Sequence, residues 1–326
     1  MFTNDRYCGK AISHSDQKKV RNQTVQALKY CYPRVGLGRI CRLFGFTRQA
    51  HHKHYKKQER AIVENHIIVQ MVNEIRKEHP RMGTRKLYHL LKPDLEMLGI
   101  KMGRDALFDL LSTERMLIRK RRRQHITTNS HHWYRKYPNL IQGFIPSGPN
   151  QLWVSDITYL KTHSGFRYLF LLTDAYSKKI LGYHLAIDLD STHAVACLQR
   201  ALKSLGQPVA GLIHHSDRGI QYCSKEYVNL LQDYQIQVSM TENSNPRDNA
   251  IAERVNGILK DEYLHLEVSK NIIFTNSQLE KTINKYNNRR PHLSCNMLTP
   301  EQAHLRSGTL KKRWKTYYKK QVNLNV

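Results

Sequence analysis

The chain of 326 residues is long enough to bury a sizeable core and to form two or three domains. Its 53 lysine and arginine residues outnumber its 26 aspartate and glutamate residues and give a formal net charge of +27. This excess is larger than solubility requires and indicates a polyanionic partner, either nucleic acid or an anionic membrane surface. No apolar run approaches the length that crosses a bilayer, and no signal peptide begins the sequence, so we expect a soluble intracellular protein.

The positive charge is concentrated at the two ends of the chain. Residues 1–140 contain 30 basic and 11 acidic residues, residues 141–305 contain 16 and 15, and residues 306–326 contain seven and none. The middle of the chain is therefore nearly neutral, and the flanking arms carry the excess. This distribution favours nucleic acid as the partner.

The six cysteines are scattered and form no C-x-x-C pair, which is typical of free thiols in a reducing compartment. Cys31, Cys41, His51 and His54 offer a zinc ligand set only loosely, because the two cysteines are spaced too widely for a zinc knuckle. We therefore do not expect a zinc site there.

The first local signal is a helix, a turn and a second helix. A short helix is predicted over residues 37–44, followed by a turn at Gly45 and Phe46 and by a helix that Thr47 caps. This spacing is typical of helix-turn-helix DNA-binding units, and an ordinary helical hairpin with a solvated basic face is the alternative. The candidate contacts to phosphates and base edges on the second helix are Arg48, Gln49, His52, Lys53 and Lys56.

A second helical block follows. A mixed helical pattern over residues 62–78 is ended by Pro80, and helices are predicted over residues 84–91 and 104–111, with Pro93, Gly99 and Gly103 in the loop between them. These helices predict a second small DNA-binding unit. A basic run closes the block and either follows a DNA backbone or is a solvated linker. Its candidate DNA contacts are Arg121, Arg122 and Arg123.

From residue 151 the pattern changes to strands. Three strand candidates, at 151–160, 166–177 and 178–188, are rich in β-branched and aromatic residues. Helices at 191–205, 224–234 and 249 to about 264 then alternate with strands at 212–217 and 238–240. A right-handed crossover through the first of these helices can set the fourth strand parallel to an earlier one. The pattern predicts a mixed five-stranded sheet with helices on both faces.

Three carboxylates in this region have a chemical interpretation. Asp156 falls within a strand, Asp217 at the end of another, and Glu253 on a helix where Asn249 and Lys260 share its face. Two aspartates and a glutamate can hold a pair of Mg²⁺ ions, for which Mn²⁺ could substitute, at a phosphodiester. Without cations, such carboxylates would repel one another and raise their own pKa values. Taken singly, each residue has a simpler interpretation, as a cap or a solvated surface group.

The sequences VSDITYL around Asp156, HHSDRGIQY around Asp217, NPRDNAIAERVNGILKDE around Glu253 and then YNNRRPHLSCNMLTPEQA closely resemble OrfB-type transposases of bacterial insertion sequences. These are members of the DDE and retroviral-integrase superfamily, and the resemblance extends from about residue 37 to residue 303. It implies an RNase H-like catalytic core and a metal-binding role for the three carboxylates. It also implies that Asn249 and Lys260 lie close to DNA. Arg290 and His292 belong to a carboxy-terminal signature and are further candidate DNA contacts.

The resulting expectation is a multidomain transposase that cleaves insertion-sequence ends and transfers the 3′-hydroxyl to DNA by a two-metal mechanism. An RNase H-like nuclease and a non-catalytic DNA-binding regulator are the alternatives. The predicted divisions are a helix-turn-helix region at 1–60, a second helical region at 61–123, a linker at 124–145, the catalytic core at 146–305 and a basic tail at 306–326. The expected partners are terminal inverted repeats, target DNA, further copies of the chain and an upstream-frame helix-turn-helix protein or fusion, with no membrane. The expected location is the cytoplasm, at the nucleoid.

Overall fold

The computed structural model describes residues 14–118, 133–162, 165–242, 249–264 and 276–313. The chain divides into two compact units, Met1–Met71 and Val72–Val326. Within the described ranges, no helix is long and apolar enough to cross a membrane.

The amino-terminal unit is helical. It contains α1 (His14–Cys31), α2 (Leu37–Leu43) and the start of α3 (Arg48–Glu78). Thr47 caps α3 as predicted, because its hydroxyl accepts a hydrogen bond from the backbone of Ala50 at 3.1 Å. The core of this unit is small and contains Val25, Ile40 and Cys41, with partly buried apolar residues packed around them.

Helix α3 corrects the prediction of two separate helices around residue 60. It runs through 31 residues without interruption, since it contains neither glycine nor proline, and the division between the two units falls inside it. The next two helices, α4 (Thr84–Met97) and α5 (Arg104–Thr113), belong to the same compact unit as the sheet. The division between these two compact units lies near residue 71, and the predicted domain boundaries at 60 and 123 stay predictions.

Helix α4 continues past the predicted loop residue Pro93 as far as Met97. Proline removes one hydrogen bond from a helix interior, which is costly. The apolar face of α4 offsets this cost, because Leu87, Leu91 and Leu95 are all buried. The chain turns only at Gly99, whose φ of 65° favours glycine.

The sheet has the predicted mixed topology. Its strands are β1 (Leu152–Thr162), β2 (Gly165–Asp174), β3 (Ile180–Ala186), β4 (Ile213–Ser216) and β5 (Gln237–Met240), in the order β3-β2-β1-β4-β5. β1 pairs antiparallel with β2 and parallel with β4, and β4 pairs parallel with β5. β1 is therefore the central strand.

Helices cover both faces of the sheet, as predicted. In the described part of the chain, the α-helices after β3 are α6 (Ser191–Leu205), α7 (Ile220–Cys223), α8 (Lys225–Asp233), α9 (Ala250–Leu259), α10 (Asn276–Arg289) and α11 (Pro300–His304). Alternate residues of β2 separate the two cores. Phe170 and Leu172 pack with α6 and α8, whereas Leu169 and Leu171 pack with α9 and α10.

Close approach of α6 to β3 explains one glycine. A Cβ atom on Gly182 would collide with the backbone carbonyl of Cys197 in α6. A larger residue at this position would force the helix away from the sheet, so Gly182 is required by packing.

Three local features of the sheet-containing unit add detail to the predicted organisation. The last predicted helix changes at Lys260 from α9 to a π-helix, Lys260–Leu264. Part of the predicted linker packs beside β5, where the Leu140 backbone donates to Ser239 Oγ at 2.9 Å. The start of the predicted basic tail packs on the core, because Gly308 donates to the Ser147 carbonyl at 2.7 Å.

Candidate active site

Two of the three predicted carboxylates lie side by side on neighbouring strands. Asp156 is in the middle of β1, and Asp217 directly follows β4. These strands are parallel, with Val154 opposite His215, and continuing this register by two residues sets Asp156 beside Asp217. Residues in register on parallel strands project from the same face, so both carboxylates project toward one side of the sheet.

Helix α9 brings the third carboxylate to that side. Asn249, at its amino-terminal cap, donates through Nδ2 to the Ser155 carbonyl at 2.9 Å. About two turns further along the same face, Asn256 Nδ2 donates to Asp156 Oδ2 at 2.7 Å. Both asparagines are buried. Because residues 249, 253 and 256 share one face of the helix, these two contacts turn the exposed Glu253 toward β1.

The carboxylates interact electrostatically. Burial, followed by the negative charge of Asp217 and then that of Glu253, raises the pKa of Asp156 to about 7. The hydrogen bonds that Asp156 accepts from Asn256 and from the Ile157 backbone act against this rise. An aspartate with a raised pKa beside two other carboxylates is typical of a site that takes up a cation.

Asp217 is held by a tight local turn. The backbone of Gly219 donates to Asp217 Oδ1 at 3.0 Å. A Cβ atom at Gly219 would lie 3.0 Å from that same oxygen, so the turn is compatible with glycine and crowded for a larger residue.

The donor chemistry of the three carboxylates fits Mg²⁺, which prefers carboxylate oxygens. Across the described part of the chain, no group of three or more His, Cys, Asp or Glu side chains is arranged so that it could hold a metal ion. Residues 243–248, which precede α9, are outside the described ranges.

The opposite side of β1 is fixed by a buried histidine. The Ser155 and Tyr227 hydroxyl oxygens lie 2.8 and 2.9 Å from His214 Nε2. Burial, reinforced by the neighbouring His215, lowers the pKa of His214 to about 3, so this ring is neutral at physiological pH. The network restrains the strand residue that directly precedes Asp156.

A buried ionic network holds the carboxy-terminal end of the candidate catalytic helix. Arg290 makes two hydrogen bonds to Glu262, at 2.8 and 2.7 Å, and Lys86 of α4 makes one at 2.7 Å. Burial acts to raise the pKa of Glu262, but Arg290 and Lys86 lower it to about 2. Burial and the positive charge of Arg290 lower the pKa of Lys86 to about 8. Next to this network, His79 Nδ1 lies 2.7 Å from the Tyr263 hydroxyl.

The candidate DNA-contacting residues fall into three groups. The side chains of Arg48, Gln49, His52, Lys53 and Lys56 on α3, and that of Lys260, are exposed. The second group is buried with partners inside the protein: Asn249 contacts β1, Arg290 pairs with Glu262, and His292 Nδ1 lies 2.8 Å from Ser294 Oγ. Arg121, Arg122 and Arg123 lie outside the described residues. A DNA contact by the buried group stays a prediction, and the contacts recorded for these side chains are internal.

Two functional features were missed in the sequence. Asn256 shares the helical face of Glu253, but only the folded chain reveals its hydrogen bond to Asp156. The pairing of Glu262 with Lys86 joins residues 176 positions apart, and no local pattern indicates it.

Comparison with known proteins identifies the family of this chain. Two family models of the integrase core domain match residues 146–246 and 234–300. The protein described as "Insertion element IS600 uncharacterized 31 kDa protein" of Shigella sonnei is 34% identical over 228 residues, which are 69% of this chain and 82% of that protein. The transposase for insertion sequence element IS629 of Shigella sonnei is 28% identical over 243 residues, which are 74% of this chain and 80% of that protein.

Among solved structures, the HTLV-2 integrase catalytic core domain in complex with magnesium aligns with a TM-score of 0.40 and 20% identity, over 48% of this chain and 97% of that one. The family assignment rests on the sequence matches, which extend over most of the length of the relatives. The chain belongs to the insertion-sequence transposases of the DDE and retroviral-integrase superfamily, whose general activity is DNA transposition.

Proposed function

We propose that this transposase cleaves the ends of its insertion sequence and joins their 3′-hydroxyls to target DNA at a site formed by Asp156, Asp217 and Glu253. The observation that carries the proposal is the attachment of α9 to β1 on both sides of Glu253, at Asn249 and Asn256. This attachment directs the glutamate toward the two aspartates on the neighbouring strands.

In this proposal the three carboxylates would hold two Mg²⁺ ions, which would supply activation of the attacking hydroxyl and stabilisation of the departing oxygen. The protein orients the ligands. Asn256 fixes Asp156 Oδ2, and the Gly219 backbone fixes Asp217 Oδ1, so neither carboxylate has to be ordered when DNA arrives. In the joining step a new phosphorus–oxygen bond forms as the bond to the departing 3′ oxygen breaks. The attacking hydroxyl loses one proton and the departing oxygen gains one, so no energy-rich cofactor is consumed.

The proposed DNA surface includes the exposed basic side chains of α3 and Lys260. Arg48, Lys53 and Lys56 are exposed cations in the first turns of the helix that follows the turn, where a recognition helix carries its base and phosphate contacts. Terminal inverted repeats and target DNA are the proposed substrates. Two element ends have to be joined in one reaction, so we propose that the protein acts as a homo-oligomer on DNA, with an upstream-frame helix-turn-helix protein as a further partner.

The test compares Asp156→Asn, Asp217→Asn and Glu253→Gln with a matched control, Glu226→Gln, which neutralises an exposed carboxylate of α8. Each triad variant should lose at least about 100-fold in end cleavage and joining, because several kcal/mol of metal-dependent stabilisation would be removed. Affinity for the element ends should be unchanged, and calorimetric titration should show weaker Mg²⁺ binding. Cleavage by any triad variant at the rate of the control would contradict the proposed site.

A further inference from the structure

A large pocket lies on the side of α9 that faces away from the carboxylates. Its volume is about 1060 Å³, and its lining includes Ala250, Ile251, Arg254, Val255 and Ile258. The residues that attach α9 to β1 occupy the other face of the same helix. The helix that carries Glu253 is thus shared between the candidate active site and a second concave surface.

The lining of this pocket is strongly basic. It includes Lys86, Lys178, Arg254, Arg290 and Lys312, and no aspartate or glutamate is among the described residues that line it. Glu262 compensates Lys86 and Arg290 from outside the pocket. Arg254 and Lys312 are exposed, and neither makes an ion pair in the described structure. Their charges are available to an anionic ligand.

The pocket also has apolar walls. Phe144 and Ile145 are 40% and 86% exposed, and Ile251 of α9 lies in the same lining. A free phosphate has no apolar surface that could pack on these walls. In a DNA double helix, the flat faces of the bases are stacked on one another and are not available to the protein. An unpaired DNA strand can make both kinds of contact. Its phosphates bind cationic side chains, and the flat faces of its bases stack on apolar side chains.

We propose that this pocket binds an unpaired segment of DNA strand, with phosphates at Arg254 and Lys312 and bases against Phe144, Ile145 and Ile251. The volume is sufficient, because pockets of roughly 300–1,000 Å³ already enclose ligands of nucleotide size. The inference rests on the proposed function in one respect, namely that DNA is the substrate of this chain. It adds a binding site for a single strand beside the helix that carries Glu253.

The first experiment measures the affinity of the full chain for a blunt DNA duplex and for the same duplex with a single-stranded extension of mixed sequence. The extension should increase affinity about tenfold, since stacking of even one base on the protein has an effect of this order. Arg254→Glu, Lys312→Glu and Phe144→Ala should abolish this advantage. Lys203→Glu, an exposed lysine of α6 on the opposite face of the sheet, should weaken both DNAs equally and keep the advantage.

A second experiment locates the contact. A photoreactive 5-iododeoxyuridine in the extension should crosslink to peptides that contain Phe144 or Tyr176, both in the pocket lining. Crosslinks confined to other peptides would overturn the proposal, as would equal affinity for the two DNAs. An advantage that appears only after deletion of residues 314–326 would also overturn it, because it would show that the chain's own terminus fills the pocket.

End cleavage, measured on the same variants, separates this inference from the proposed function. Normal cleavage by the wild-type protein without any preference for the extension would remove the pocket inference alone. A preserved preference for the extension in a protein that never cleaves element ends would remove the proposed function alone.

Discussion

The two compact units differ in how their charged side chains are surrounded. In the amino-terminal unit, Lys53 and Lys56 of α3 are exposed and form no ion pair within the described residues. In the sheet-containing unit, two carboxylates close to α9 are held by specific partners: Asn256 holds Asp156, and Arg290 holds Glu262. Binding a polyanion needs positive charge without a fixed geometry, whereas chemistry at one phosphorus atom needs fixed positions. Substitutions in the amino-terminal unit should therefore change the affinity for DNA, whereas substitutions around α9 should change stability or the rate of joining.

The largest expected effect is on folding of the sheet-containing unit. Glu262→Gln would leave Lys86 and Arg290 buried without their carboxylate, and breaking a buried pair in this way costs about 3–5 kcal/mol of unfolding free energy. Glu74→Gln is the matched control, because Glu74 and its partner Lys77 are both exposed, and such pairs contribute about 0–1 kcal/mol. Urea unfolding of both variants measures the difference. Equal losses would show that the buried network does not stabilise the unit.

Lowering the pH should remove the stabilisation that the network of Glu262, Arg290 and Lys86 provides. The folded-state pKa of Glu262, about 2, lies below its ordinary value of 4.5, so the stabilisation is present above pH 4.5 and is lost as the pH falls toward 2. The loss attributable to this carboxyl should approach about 3 kcal/mol, and Glu262→Gln should lack this part of the acid dependence. Urea unfolding at a series of pH values compares the two proteins. Parallel stability curves would contradict the assignment.

Local patterns in the sequence were sufficient to predict the sheet and most of its helices. The helix at 191–205 and the mixed five-stranded topology follow from hydrophobic period and connection rules, and both are observed. The positions of Asp156 in a strand and Asp217 at a strand end follow from the same patterns. Asp156 and Asp217 are close together because β1 and β4 are neighbours in the sheet.

Features that depend on distant contacts could not be predicted in this way. Helix α4 continues past Pro93 because Leu95, two residues later, is buried in the core. A prediction from local sequence includes the hydrogen bond that proline removes but not this burial. The π-helix that starts at Lys260 occurs where Glu262 meets Arg290 and Lys86, whose positions are set by other parts of the fold. A π-helical turn in this position is typical of functional sites, but its sequence resembles an ordinary helix end.

The hydrogen bond from Asn256 to Asp156 gives a prediction of intermediate size. Asn256→Ala should lower strand joining by about 10–100-fold, since a residue that orients a metal-binding carboxylate has effects of this order. The apparent Mg²⁺ affinity should fall as well, while affinity for DNA stays the same. Asn288→Ala is the control, because Asn288 is exposed and donates only to the backbone of its own helix. If both variants joined ends equally well, Asn256 would have no role in orienting the site.

The smallest expected effect belongs to the amino-terminal unit and concerns salt rather than rate. Lys53→Gln removes one exposed cation that has no carboxylate partner among the described residues, so the slope of log affinity against log salt should shrink by about 0.9. Lys77→Gln, on the same helix, is the matched control because Lys77 is paired with Glu74 at 2.7 Å. Its removal should leave the slope nearly unchanged. DNA binding measured over a range of salt concentrations distinguishes the two lysines, and identical slopes would show that exposure on α3 does not identify a phosphate contact. Joining of pre-bound ends should be the same in both variants, because both lysines are exposed and neither is a carboxylate of the proposed site.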